Sequence, residues 1–173
     1  KIGNGFEAGV KIGPLANEKQ LKNVLKYIEF GKEDGAELVY GGEPLLTGEF
    51  EKGYYVQPAI FTNVKADSRI AKEEIFGPVV AVIEVDTYEE AIAVANDVEY
   101  GLSASIVTNN LKIANQFTKD IQAGTVKVNR TTTGNLMNAP FRGLKKSSTS
   151  TFRESGRVGL EFFTQLKTVY MGY

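Results

Sequence analysis

A carboxylate and an aromatic ring stand two residues apart in Glu73-Glu74-Ile75-Phe76-Gly77-Pro78-Val79, just before the apolar run Val80-Ala81-Val82-Ile83. A carboxylate can accept hydrogen bonds from two vicinal hydroxyls at once, as on a ribose. An aromatic face beside it packs on a flat heterocycle. The spacing of Glu74 and Phe76 therefore suits gripping a nucleoside. On the residues alone a structural alternative stands beside this one, with a turn entering a strand and Phe76 plugging the core. Other chemistry is excluded by composition. With no Cys and no His, these residues offer no thiolate nucleophile, Ser-His-Asp triad, Cys-His pair, H-E-x-x-H zinc site or disulfide.

Weaker patterns resolve into bland readings. Gly3-x-Gly5-x-x-Ala8 matches a dinucleotide fingerprint. That motif needs a strand before it and a helix directly after it, so here it reads as a turn. Asn129-Arg130-Thr131 is a glycosylation sequon by accident of pattern. Lys145-Lys146 reads as solvated charge. The pairs Glu73/Glu74 and Glu89/Glu90 would be needed for a metal-dependent hydrolase. Adjacent helical residues point about 100° apart, however, so they read as surface charge and no metal site is assigned.

The elements that must position the carboxylate and the ring follow from periodicity. Leu21, Val24, Leu25 and Ile28 form a helical stripe, with Asn17 as cap, Gln20 at the capping-box position and Gly35 as stop. Glu37-Leu38-Val39-Tyr40 reads as a short strand. Residues 54–61 read as another, at an edge or bent because Pro58 removes a ladder donor. A strand over 79–85 leads to Thr87-x-x-Glu90, opening a helix that buries Tyr88, Ala91, Ile92 and Ala95. A strand over 102–108 leads to a helix from Asn110 to about Gln122, burying Leu111, Ala114, Phe117 and Ile121. Gly124 stops that helix before a strand over 125–129. This alternation predicts an α/β fold with a parallel-sheet βαβ core. After a polar loop at Thr131-Thr132-Thr133-Gly134-Asn135 and a Lys/Ser/Thr-rich stretch over 145–151, the pattern predicts a helix from Arg153 to about Gln165. Thr168-Val169-Tyr170-Met171 then reads as a terminal strand.

The 173 residues carry a formal net charge of −1, with 42% apolar and 24% charged residues. That balance fits a globular chain with about 70% of its unfolded surface buried. It gives no electrostatic case for nucleic acid or an anionic membrane, and the compartment expected is the cytoplasm. The chain opens at Lys1 without a leading hydrophobic element and reads as the middle of a longer protein.

The Glu73-Glu74-Ile75-Phe76-Gly77-Pro78-Val79 run resembles the signature of the aldehyde dehydrogenase superfamily. The resemblance extends along the whole chain through Gly13-Pro14-Leu15, Gly41-Gly42, Tyr54-x-x-Gln57-Pro58, Ala95-Asn96, Tyr100-Gly101-Leu102-Ser103-Ala104, Ala123-Gly124-Thr125-Val126-x-Val128-Asn129, Pro140-Phe141 and Gly159-Leu160-Glu161-Phe162-Phe163. It implies oxidation of an aldehyde to a carboxylic acid with NAD or NADP. In that chemistry a cysteine attacks the aldehyde, hydride passes to nicotinamide and an activated water releases the acid. It further implies that Glu74 holds the nicotinamide ribose, that Phe76 packs beside the nicotinamide and that Glu73 is structural. Phe141 and the loop from Arg130 through Thr131 and Thr132 would line the aldehyde tunnel.

By the same resemblance, residues 1–146 form part of the catalytic domain. Residues 147–173 form a C-terminal helix and a strand, Thr168 to Tyr173, that pairs with another copy of the chain. The cysteine, the general-base glutamate and the phosphate-binding half of the cofactor domain are not in this sequence, so the chain alone is expected to be inactive. Ser147-Ser148-x-x-Thr151-Phe152-Arg153-Glu154 resembles the subgroup acting on 2-oxoglutarate semialdehyde. An arginine can hold a substrate carboxylate in bidentate fashion, which makes Arg130 a candidate reader; the alternative puts Arg130 and Arg142 in surface ion pairs. A non-catalytic assembly module on the same scaffold is the rival from another class.

Overall fold

The structure, a computed structural model, describes residues 1–149 and 152–173; Thr151 of the subgroup-like stretch lies outside the described residues. The chain divides into two units, Lys1–Asp86 and Thr87–Tyr173.

In the first unit, Asn17 caps α1 (Glu18–Glu33) by accepting from the Gln20 amide at 2.9 Å. This satisfies one donor that a helix start leaves open. Leu21, Val24 and Ile28 are buried along one face of the helix. After Gly35, at φ +86°, come β1 (Glu37–Tyr40), β2 (Pro44–Leu45), a 3₁₀ turn at Gly48–Phe50, β3 (Tyr55–Val56), β4 (Ala59–Thr62), α2 (Arg69–Lys72) and β5 (Val79–Ala81). β2 and β3 pair with each other, antiparallel. β4 is the middle strand of a three-stranded sheet, antiparallel to β1 and parallel to β5.

The strand expected over 54–61 is thus split at Pro58. The proline sits just before a central strand, where its missing N–H breaks no ladder; the chain is bent there and not at an edge. β5 is shorter than expected, although two backbone bonds run on past it: the Val82 amide donates to the Phe61 carbonyl and the Val82 carbonyl accepts from the Val64 amide. Phe61, Val24 and Ile28 are wholly buried at the centre of the core with Val56, Ala59, Val64, Ile70 and Ile75. Each of these Val, Ile and Phe side chains contributes about 1.5–3 kcal/mol. Gly3-x-Gly5-x-x-Ala8 lies in turns between Ile2 and Ile12, which pair in a single bridge, and no helix follows it directly.

In the second unit, Thr87 caps α3 (Tyr88–Asn96), its hydroxyl accepting from the Glu90 amide at 3.1 Å. Then follow β6 (Tyr100–Gly101), β7 (Ser103–Ile106), α4 (Leu111–Asp120), β8 (Thr125–Val128), β9 (Leu144–Lys145) and α5 (Gly156–Phe162). β7 and β8 are parallel, in register from Ser103 opposite Thr125 to Ile106 opposite Val128, with α4 as their crossover. This is the expected βαβ unit. It is one pair of strands: β5 belongs to the sheet of the first unit, so the predicted run of three parallel strands is divided between two sheets.

Ala114, Phe117 and Ile121 are buried as expected, whereas Leu111, in the first turn of α4, is 74% exposed. On α3, Tyr88, Ala91 and Ile92 are half-buried and Ala95 is exposed. The last helix is shorter than predicted. It starts only at Gly156, after Ser155 and Gly156 both adopt positive φ. Residues 168–171 form no strand, because a strand exists through its ladder and no described residue pairs with them. No helix among the described residues is long and apolar enough to cross a membrane.

Candidate functional site

The Glu73–Gly77 segment connects α2 to β5, and helix α1 fixes it at several points. Ile75 is the plug, 9% exposed in the core. Phe76 is turned outward at 77% exposure, with φ +55°, a left-handed backbone costly for a bulky L residue. The alternative that makes Phe76 a core plug is therefore overturned; its neighbour fills that place. Gly77 is required by close approach, since a Cβ there would lie 2.3 Å from Val24 Cγ2.

The two adjacent carboxylates have different fates. The Tyr27 hydroxyl donates to Glu73 Oε2 at 2.6 Å, which commits Glu73 to structure. Glu74 is exposed and forms no hydrogen bond or ion pair among the described residues. Its two oxygens remain available to a ligand, two positions before the exposed Phe76 ring. Gln20 donates through Nε2 to the carbonyls of Ile75 at 2.9 Å and Phe76 at 2.8 Å, and Asn23 Nδ2 donates to Ile75 at 3.3 Å. In sequence Gln20 looks like the second half of a capping box. Only the Asn17 half forms, and the glutamine side chain serves the segment instead.

The second unit holds an open pocket of about 570 Å³ whose lining includes Lys127, Val128, Arg130, Thr131, Leu136 and Phe141. Of the four residues expected at the aldehyde, Arg130, Thr131 and Phe141 line it. Thr132 does not, and contributes its carbonyl to Lys127. Lys127 Nζ donates to the carbonyls of Thr132 at 3.1 Å and Thr133 at 2.6 Å, and the Ser105 hydroxyl donates to the Arg130 carbonyl. These bonds fold the polar loop over the ends of β7 and β8. The sequence signal for Lys127 is a lone cation inside the otherwise apolar Val126-x-Val128 strand.

Phe141 is pinned by a two-way backbone pair with Glu154, at 2.6 and 2.8 Å. Gly124 lets the chain pass there, since a Cβ on it would stand 1.7 Å from the Arg142 carbonyl oxygen. The Arg130 guanidinium is exposed and forms no ion pair among the described residues, while Arg142 Nε donates to the Ser148 hydroxyl at 3.3 Å. The Asn129 side chain of the sequon exchanges hydrogen bonds with the Thr108 backbone at 2.9 and 3.0 Å, so its amide is engaged in structure.

The profile of the aldehyde dehydrogenase family matches residues 1–169. The chain belongs to the aldehyde dehydrogenase family. Among its relatives, the alpha-ketoglutaric semialdehyde dehydrogenase of Bacillus subtilis is 50% identical over 170 residues, covering 98% of this chain and 35% of that protein. The alpha-ketoglutarate semialdehyde dehydrogenase of Haloferax volcanii is 51% identical over 163 residues, covering 94% of this chain and 34% of that protein. The solved NAD+ complex of an aldehyde dehydrogenase from Bacillus cereus superposes on 99% of this chain and 33% of its own, at 44% identity with a TM-score of 0.88. The α/β fold is therefore that of aldehyde dehydrogenases, and the chain spans about a third of the length of these relatives.

Proposed function

We propose that these residues are part of an NAD-dependent aldehyde dehydrogenase that oxidises an acidic semialdehyde to its carboxylate. In this reading Glu74 and Phe76 hold the nicotinamide end of the cofactor. The observation that carries it is the presentation of that pair: an exposed carboxylate with no partner among the described residues, and an exposed ring two positions on, both raised from the core by the buried Ile75. The pair fits the group chemically. Two carboxylate oxygens suit vicinal hydroxyls, and the ring offers a face to a flat heterocycle. NAD is preferred over NADP because the solved relative named above holds NAD+.

When bound, the cofactor supplies a hydride acceptor. The tasks of this chain's own residues are to bind and to orient. Glu74 fixes the ribose by accepting its hydroxyls, and Phe76 limits the positions the heterocycle can take. In the second unit the Arg130 guanidinium takes the substrate's carboxylate in a bidentate grip, with Thr131 and Phe141 lining the pocket around the rest of the molecule. Two relatives named for semialdehydes that also carry a carboxylate support this substrate class. Thr132 shapes the loop through its carbonyl. The 173 residues contain no Cys, so the covalent step falls to the rest of a protein the length of the relatives, and the chain alone oxidises no aldehyde. Copies of the chain meet through Thr168-Val169-Tyr170-Met171-Gly172-Tyr173. The test of the cofactor reading is the NAD dependence of aldehyde oxidation by the full-length protein, with Glu74 intact and replaced by Ala.

A further inference from the structure

We infer that Gln20 and Asn23 of α1 are positioning residues that hold the backbone of Ile75 and Phe76, and so set how Glu74 and Phe76 are offered to the dinucleotide. The inference rests on the cofactor reading above and adds residues 52 to 56 positions away in sequence. One primary amide, Gln20 Nε2, serves two successive carbonyls at 2.9 and 2.8 Å, and Asn23 adds a donor to the first of them at 3.3 Å. A carbonyl at the end of an element, with no ladder partner, needs a donor from elsewhere.

The need here is specific. Phe76 has φ +55°, a conformation that a bulky L residue keeps only when its surroundings over-determine it. Ile75 anchors one side of it in the core, and Gly77 packs against Val24 on the other. The Gln20 amide grips the two peptide units on which the left-handed turn depends. Gln20, Asn23, Val24 and Tyr27 recur at helical spacing, so one rigid face of α1 carries the whole clamp, with Tyr27 holding Glu73 at its far end. Release of the amide would let Phe76 leave its strained backbone angles and loosen the whole segment, opening its peptide bonds to attack. Glu74 would then lose its fixed relation to the Phe76 ring.

The test uses the full-length protein containing this chain, as wild type, Gln20→Ala and the near-isosteric Gln20→Glu, which keeps the packing but removes both donors. Two readouts are taken: the rate of chymotrypsin cleavage after Phe76, located by fragment mass, and NADH affinity by fluorescence titration. Both variants should raise cleavage after Phe76 and weaken NADH binding by about tenfold each, with thermal midpoints within a few degrees of wild type. In a background already carrying Glu74→Ala and Phe76→Ala, Gln20→Ala should change NADH affinity by less than about twofold, because its effect passes through those residues. Unchanged cleavage after Phe76 in both Gln20 variants would overturn the hold itself. An equal loss of affinity in the doubly substituted background would also overturn the inference, making Gln20 a direct ligand. NADH binding that survives Glu74→Ala with Phe76→Ala undiminished would overturn the cofactor reading on which it rests, while the cleavage rate still reports on the hold alone.

Discussion

Glu73 and Glu74 are chemically identical neighbours, and only their surroundings divide the work: Tyr27 occupies the first, and the second faces solvent. The same logic separates Arg130, exposed at its pocket, from Arg142, bonded to Ser148. If Arg130 reads a substrate carboxylate, Arg130→Ala in the full-length protein should lower kcat/KM for the acidic semialdehyde by about tenfold or more. A neutral aldehyde of similar length should be little affected, so the ratio of the two is the readout; an unchanged ratio would return Arg130 to the surface. Glu74 and Phe76 were legible in the sequence as candidates, by type and spacing, and the structure leaves both side chains exposed. Gln20 and Lys127 were not. Each acts through its side-chain amine or amide on distant or looped carbonyls, and nothing in a one-dimensional pattern says which carbonyls lack a partner.

Helix caps and amphipathic stripes were readable among the elements because they are local: Asn17 and Thr87 cap the helices expected of them, and the helix expected from Asn110 begins there with Asn110 as its cap. Strand extents were not, since they depend on where a partner stops. The apolar run after Gly77 continues beyond β5, and Leu111 fits the helical period of α4 yet lies in its first turn, beyond the neighbours that cover Ala114 and Phe117. The short helix α2, which precedes the Glu73–Gly77 segment, is tied to the end of α1 by Arg69. Its guanidinium bonds Asp34 at 2.6 and 3.2 Å and lies 3.6 Å over the Phe30 ring. The hydrogen bond from Arg69 holds the Asp34 carboxyl below its ordinary 3.8. A depressed folded-state pKa stabilises fully above the unfolded value, and that stability is lost as pH falls through the folded one. Asp34→Asn should therefore be less stable than wild type in urea at pH 7, with the gap closing below pH 3.8. A gap constant from pH 7 to pH 2 would deny the coupling.

At the scale of the whole molecule, each unit has its own parallel pair, and the apolar residues past α5 stand out in solvent: Phe163, Leu166, Val169, Tyr170 and Met171 are all exposed. Exposed apolar surface of this kind is what interfaces cover. The 173-residue chain should sediment as an oligomer at tens of micromolar, and less so when the last six residues, from Thr168 on, are removed. A monodisperse monomer would contradict assembly through that segment.

The central claim concerns the carboxylate at position 74, and its most direct test is the KM for NAD of the full-length protein at a fixed concentration of an aldehyde it turns over, before and after Glu74→Ala. Glu74 is exposed and supports no structural bond among the described residues, so the fold should be untouched. The loss of its hydrogen bonds to the ribose should raise the KM for NAD by about tenfold or more. A KM for NAD unchanged by the substitution would contradict the assignment of this segment to the cofactor.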